Sequence, residues 1–341
     1  MTTTRVITAD PTRAVPIDLP GYVAQRERAL GKRMIDGVPD YGFSCDRTLR
    51  ARLSSIPPLR WALRSIPRAV EPLYQHIYIM EGIAVGPDQY PHIHAMGEQC
   101  ARRLGIGVPR IFVFQSEILN AFTLASDDVR PTIILTTRMT RNFAEDELLA
   151  IIGHECGHIH NLHGAYNTLV QLMTNPLAQG MISGMSRAGL SIGAIQLVLG
   201  LAETALSLFL ARWSRCAEVS CDRAGVICAG DPMPMVRALA KLQTGAEVML
   251  DDFNVDAYIR QLETVKSTPL RLLELGRTHP YTHKRIEAVR LFTRSDVYRA
   301  WVPDAEVAGS PMPIAEVDRA CEPLISVWSI EGAGELREAA P

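Results

Sequence analysis

The sequence carries almost no net charge. Its 35 Lys and Arg residues nearly balance 37 Asp and Glu, giving −2 at pH 7. No global field draws the chain toward nucleic acid or an anionic membrane, so no nucleic-acid partner is expected. The opening stretch "MTTTRVITADPTRAVPIDLPGYV" lacks an apolar core and a small-residue cleavage site, so no signal peptide is expected. Disulfide spacing is missing too. Seven cysteines, an odd number, are scattered along the chain, which points to reduced thiols and a cytoplasmic location. There is no internal repeat.

What is present is an ordinary globular composition, 47% hydrophobic and 21% charged over 341 residues. That length buries a sizeable core in one large domain or two smaller ones. Charge is uneven: the chain is Arg-rich up to about Tyr74, and after Ala300 it is acidic, with only Arg319 and Arg337 as cations. The expected organisation is an N-terminal arm and basic helical segment (1–75), a main domain (76–300) and an acidic, proline-containing tail (301–341) that looks weakly structured.

Within the first segment, "PPLRWALRSIPRAVEPLY" places Arg60, Arg64 and Arg68 at helical spacing beside Leu59, Trp61, Leu63 and Ile66. A short helix packed on its own domain is preferred to a membrane-surface helix, and Pro67 limits its length. From Pro91 the pattern is denser. "YPHIHAMGEQCARRLGI" reads as a helix, and "RIFVF", "LNAFTLA" and "PTIILTT" as strands, the last two parted by the turn "SDDVR". "NFAEDELLAIIGHECGHIHNLHG" reads as a helix with Asn142 and Glu145 as a capping box and Gly164 as its stop. "WSRCAEVSCDRAGVICAGD", "PMPMVRALAKLQTG" and "RTHPYTHKRIEAVRLF" supply further helices.

The region 164–211 is poor in charge. Its length would admit two membrane spans, but Asn167, Gln171, Asn175, Pro176 and Gln179 interrupt the first half, and Gln196 and Glu203 the second. A charge at mid-bilayer costs about 2.5–3.5 kcal/mol on insertion scales. A buried or interfacial helical hairpin is therefore expected, with peripheral membrane contact through 188–211 as the second reading.

The chemistry concentrates in "GHECGHIHNLHG", residues 153–164. Positions i and i+4 share a helix face, so His154 and His158 can aim at one metal ion, with zinc accepting imidazole nitrogen at about 2.0–2.1 Å. Glu155 leans over the same point without being a ligand. It can take a proton from a water acidified by zinc and deliver it to a leaving amine. A chance H-E-x-x-H in a chain with nine His is on the order of a percent. Two histidines leave the site incomplete. A histidine six residues past His158 would complete it, but that position is Gly164; His163 is one residue short and His160 points elsewhere, so both are set aside. "RCAEVSCDRAG" offers Glu218 as a third ligand and, one turn on, Asp222 to accept the second ring N–H of a ligating histidine. Cys156, Cys216 and Cys221 lie close in sequence to these positions. They read first as small buried hydrophobes, and secondly as thiols that approach the metal or respond to oxidation.

"HECGH" followed by "WSRCAEVSCDRAG" resembles the M48 family of zinc metallopeptidases, the gluzincins that include the heat-shock protease and CAAX-prenyl protease groups. "SEILNAF", "EDELLAIIGHECGHI" and "THPYTHKRI" resemble further landmarks of that family, and the likeness runs roughly from Pro91 to Val289. It implies an α+β, predominantly helical, zincin-like fold with a small sheet beside the H-E-x-x-H helix. It also implies one Zn2+ held by His154, His158 and Glu218, with Glu155 as base and Asp222 orienting a ligand. His279, with Arg285, would approach the reacting carbonyl. The strand Asn120-Ala121-Phe122 would pair with an extended peptide or protein substrate. The function implied is a zinc endopeptidase. The alternative is a metal-stabilised binding or chaperone-like module without turnover, for which a closed four-ligand site would be the mark.

Overall fold

Proline and glycine set several element boundaries, as their backbone chemistry requires. The computed structural model describes residues 33–35, 37–57, 59–60, 63, 80–126, 129–174, 204–245, 254–263, 274–275, 277–305 and 309–325. Its first elements are a short hairpin β1–β2 (Met34–Ile35, Val38–Pro39), helix α1 (Ser44–Ser55), β3 (Ile83–Ala84) and α2 (Pro91–Leu104). Strands β4 (Arg110–Phe114), β5 (Ala121–Ser126) and β6 (Val129–Thr136) follow, then α3 (Thr137–Asn142), α4 (Glu145–His160) and α5 (Gly164–Thr174). The later helices are α6 (Thr204–Ala229), α7 (Pro232–Thr244), α8 (Val255–Glu263), α9 (Thr282–Thr293), α10 (Asp296–Trp301) and α11 (Ile314–Ile325). The architecture is predominantly helical α+β, as the sequence implies. Pro91 opens α2 where its missing N–H costs nothing, and Gly105 closes it at φ 70°, a left-handed conformation that favours glycine.

The main sheet has the order β3-β4-β6-β5. β4 and β6 are parallel, and the β3–β4 and β5–β6 pairs are antiparallel. Alternation along the strands sorts their side chains. Ile111, Val113, Ile133 and Leu135 face the principal core with α2, α4 and α6, while Phe112 and Ile134 meet Phe114, Phe122 and Leu124 on the other face. A second core gathers Phe43, Leu49, Leu53, Trp213, Val219 and Val317 from α1, α6, α11 and their approaches.

Helix α4 is the centre of the molecule. Almost every residue from Glu147 to His160 is buried, more than a one-faced amphipathic helix would bury. Its start differs from the Asn142–Glu145 capping box expected. Asn142 ends α3, and it is Glu147 that reaches back, its carboxylate accepting the Ala144 N–H at 2.9 Å. The reason lies in α7: Lys241 Nζ (2.6 Å) and Arg237 Nε (3.2 Å) both donate to Glu147, which pins that carboxylate at the helix entrance.

The tail also differs from expectation. Residues 314–325 form α11, held by a buried ion pair of Asp318 with Arg223 at 2.7 Å and by the Ser44 N–H donating to Asp318 at 3.0 Å. The sequence reading has an acidic, weakly structured tail, but one of its acids is the counter-charge of a buried arginine. The N-terminal arm to residue 32, Arg64, Arg68 and residues 175–203 of the expected hairpin lie outside the described residues. Among the described residues no helix is long and apolar enough to cross a membrane.

α4 and α6 run antiparallel and very close. A Cβ on Gly153 would fall 2.5 Å from Cys228 Cβ and 3.1 Å from Gly225 Cα, and one on Gly157 would fall 2.8 Å from Ala224 Cβ. Gly→Ala inside a helix ordinarily gains up to about 1 kcal/mol, but here the neighbouring atoms belong to the facing backbone and to the first carbon of a side chain. Gly153→Ala is expected to destabilise the protein by about 1–3 kcal/mol through overpacking, measured by urea unfolding. Unchanged or raised stability would refute the close-contact account.

Candidate metal centre

The antiparallel packing of α4 and α6 sets two i, i+4 pairs face to face: His154 and His158 from one helix, Asp222 and Glu218 from the other. His154 Nε2 lies 3.7 Å from Glu218 Oε2, and His158 Nε2 lies 3.6 Å from Glu218 Oε1. All four side chains are buried. An ion about 2.1 Å from tetrahedral donors sets donor–donor spacings of roughly 3.4 Å, close to both of these histidine–Glu218 separations, which end on different oxygens of the carboxylate. His154 Nδ1 is 2.9 Å from Asp222 Oδ1, which fixes the ring edge turned away from Glu218.

These four groups would be unstable in a dry interior without counter-charges. Burial pushes Glu218 toward the neutral acid, but His279, Arg285, His154 and His158 outweigh it and hold its carboxyl well below the usual range. Burial opposes charge on His154 as well, yet the hydrogen bond to Asp222 and the charge of Glu218 raise its affinity for a proton. Burial and the neighbouring His154 charge keep His158 well below the ordinary imidazole value, and so neutral.

Arg285 is placed differently from expectation. The resemblance puts it beside the reacting carbonyl, but it is buried behind the carboxylates. Nε and Nη2 donate to Asp222 at 2.8 and 2.6 Å, and Nη1 is 3.1 Å from Glu218 Oε2. A planar guanidinium with three nitrogens occupied in this way braces the carboxylates instead of meeting substrate. His279 is more open, its side chain 57% exposed, with Nε2 3.6 Å from Glu218 Oε1. The Thr278 hydroxyl, 3.0 Å from His279 Nδ1, sets the ring. Arg215 tethers the preceding loop by donating to the Glu274, Leu275 and Arg277 carbonyls at 3.0, 3.2 and 2.8 Å.

Glu155 is buried on α4, and the Thr123 hydroxyl lies 2.7 Å from its Oε2. Desolvation raises the Glu155 pKa, with His154 and Thr123 opposing. Thr123 comes from β5, one residue past the Asn120-Ala121-Phe122 triplet. Sequence reasoning missed it, although the two-residue strand period that turns Thr123 toward the site is readable there. Asn120 precedes β5, which is the outermost strand of its sheet, and its carbonyl accepts the Thr136 N–H at 3.2 Å. His163, set aside as a ligand, is buried with Nδ1 3.1 Å from His158 Nδ1 and Nε2 2.9 Å from Asp46. His160 is bonded to the Tyr41 hydroxyl at 2.8 Å, away from the centre.

A second donor set exists: His154, His158 and Cys221 offer ligand atoms within 4.8 Å of one another. The Glu218 set is the better fit. The Nδ1 edges of the histidines are occupied by Asp222 and His163, and Cys221 Sγ lies 3.5 Å from His163 Nδ1, on that occupied side. Burial and the surrounding carboxylates also push the Cys221 thiol well up, away from thiolate. Cys156 is in hydrogen-bonding contact with Cys100 in the core, and Cys216 Sγ faces Cys45 Sγ at 2.9 Å.

The fold thus gathers the H-E-x-x-H residues of α4 and the Glu218–Asp222 pair of α6 into one buried cluster. The comparisons with known proteins give it a family: a match to peptidase family M48 covers residues 87–292, and the chain belongs to that family. It is 29% identical over 238 residues to the plastoglobule-localized metallopeptidase 48 of Arabidopsis thaliana, covering 66% of this chain and 65% of that protein's length. It is 30% identical over 219 residues to a protease HtpX homolog of Thermococcus kodakarensis, covering 60% of this chain and 74% of that one. A crystal structure of S. mikatae Ste24p is similar at 19% identity and a TM-score of 0.39, over 80% of this chain and 71% of that chain.

The buried carboxylates give a test of the bracing assigned to Arg285. Arg285→Ala leaves Asp222 and Glu218 without their shared cation, and breaking such a buried pair is expected to cost about 3–5 kcal/mol. Denaturant unfolding of the metal-free protein measures this. A cost within experimental error of zero would overturn the bracing role.

Proposed function

We propose that the protein is a zinc-dependent endopeptidase in which His154, His158 and Glu218 hold the metal and Glu155 is the general base. The observation that carries this reading is the convergence of both Nε2 atoms on Glu218 with Glu155 beside them and outside the donor set. A purely structural site has no use for that fourth, separately held group. Zinc at this point would polarise the scissile carbonyl and acidify a water, the chemistry it supplies in such sites.

The chain's own residues supply the rest. An extended peptide or protein substrate would run alongside β5, the outermost strand of its sheet among the described residues, near Asn120, Ala121 and Phe122. Thr123 holds one oxygen of Glu155, so the carboxylate keeps one orientation while it accepts a proton and later returns it to the leaving amine. Its raised pKa favours accepting that proton. His279 Nε2, on a loop held by Arg215, would donate to the oxygen that gains negative charge. Asp222 orients His154, and Arg285 stabilises Asp222 and Glu218.

The Glu155→Gln variant tests the assignment. Zinc content is expected to stay near one per chain by metal analysis, while peptide hydrolysis falls by about 10²–10⁴-fold, the range general acid–base catalysis supplies. Wild-type protein without stoichiometric zinc, or a variant that cleaves peptides normally, would contradict it.

A further inference from the structure

For His158 to bind metal through Nε2, its ring hydrogen must sit on Nδ1. That edge is buried and faces another imidazole, with the two Nδ1 atoms 3.1 Å apart. Two neutral ring nitrogens can bond only when one carries the hydrogen and the other offers its lone pair. The far edge of His163 decides which. Its Nε2 lies 2.9 Å from Asp46 Oδ2, and a carboxylate can only accept. His163 therefore carries its hydrogen on Nε2 and accepts at Nδ1. His158 must donate from Nδ1, which leaves the Nε2 lone pair turned toward Glu218.

Asp46 is itself fixed. Trp213 Nε1 donates to Oδ1 at 2.9 Å, and the Ser220 hydroxyl donates to Oδ2 at 2.7 Å. Two other groups reach this edge, and the same order requires one of them, the Asn167 amide, to present its oxygen. The Cys221 thiol, 3.5 Å from His163 Nδ1, donates to the same lone pair. The Asn167 side-chain nitrogen Nδ2 lies 3.1 Å from His158 Nδ1; with the amide turned over, Oδ1 takes that place and accepts the same hydrogen.

We propose that Asp46 is a positioning residue that acts through His163 to fix the tautomer of the metal-binding histidine His158. This rests on His158 being a ligand, as proposed above. Asp46 lies on α1, upstream of the family-matched segment 87–292, so a helix outside that segment sets the proton order of the site.

Asp46→Asn separates this role from a merely structural one. Trp213 Nε1 can only donate, so it claims the amide oxygen and turns the amide NH2 toward His163 Nε2. His163 then carries its hydrogen on Nδ1, and His158 is driven to the tautomer with Nε2 protonated. Zinc affinity, read by chelator competition, is expected to fall about 10- to 100-fold, the usual cost of losing a partner of a ligating histidine. Ser220→Ala, which removes a bond to Asp46 without inverting the rings, is expected to leave zinc affinity unchanged. An Asp46→Asn variant that is folded by circular dichroism and binds zinc as tightly as wild type would overturn the proposal, as would equal losses in both variants. If Asp46→Asn fails to fold, nitrogen-15 NMR of the wild-type histidines decides: His163 hydrogen on Nε2 and His158 hydrogen on Nδ1 support the proposal, and the reverse order overturns it. A wild-type protein that binds no zinc sinks the endopeptidase reading instead, and the NMR tautomers still decide this one.

Discussion

The close approach of α4 and α6 is the constraint on which the rest depends. Glu218 can stand between His154 and His158 only because Gly153 and Gly157 let α4 settle against the backbone of α6 near Gly225 and Cys221. A larger side chain at either glycine would move the carboxylate off the point where the two Nε2 atoms converge. The antiparallel register then does the pairing: two residues four apart on one helix face two residues four apart on the other. The sheet contributes from the side, bringing Thr123 of β5 to Glu155.

Such packing forces several ionisable groups into one dry region, and each is matched. Arg285 answers Asp222 and Glu218, Asp46 accepts from His163, Trp213 and Ser220, and Thr123 holds Glu155. Removing water strengthens every one of these interactions and makes every unmatched group costly. These hydrogen bonds and ion pairs order the cluster in advance, as the proposed catalysis would require. Helices α1 and α11 belong to the same arrangement. Asp46 enters through α1, and Asp318 of α11 neutralises Arg223 on the helix that carries Glu218.

Much of this is legible in the sequence, and the legible parts are those with local periodicity. H-E-x-x-H announces itself because i, i+4 spacing is a property of one helix, and the apolar runs around β4 and β6 mark their strands directly. Glu218 and Asp222 can be selected because the first helix lacks a carboxylate ligand of its own. Three things are not legible. Asp46 is distant in sequence from His163, and nothing in "SCDRTLRARLSS" marks it as buried. Arg285 looks the same in sequence whether it meets substrate or braces two acids, since only packing distinguishes them. The tail looks weakly structured until Arg223 is seen to pair with one of its acids. His163 shows the limit most directly. Its spacing sets it aside as a ligand, and says nothing of its contact with His158.

The central claim is that metal is held through His154, His158 and Glu218, with one position left for water. Zinc-edge X-ray absorption of the purified wild-type protein tests it directly. The account predicts a first shell of nitrogen and oxygen only, at about 2.0–2.2 Å, with two imidazole contributions. A sulfur scatterer at about 2.3 Å, which would place Cys221 on the metal, or a shell filled by four protein donors would contradict it.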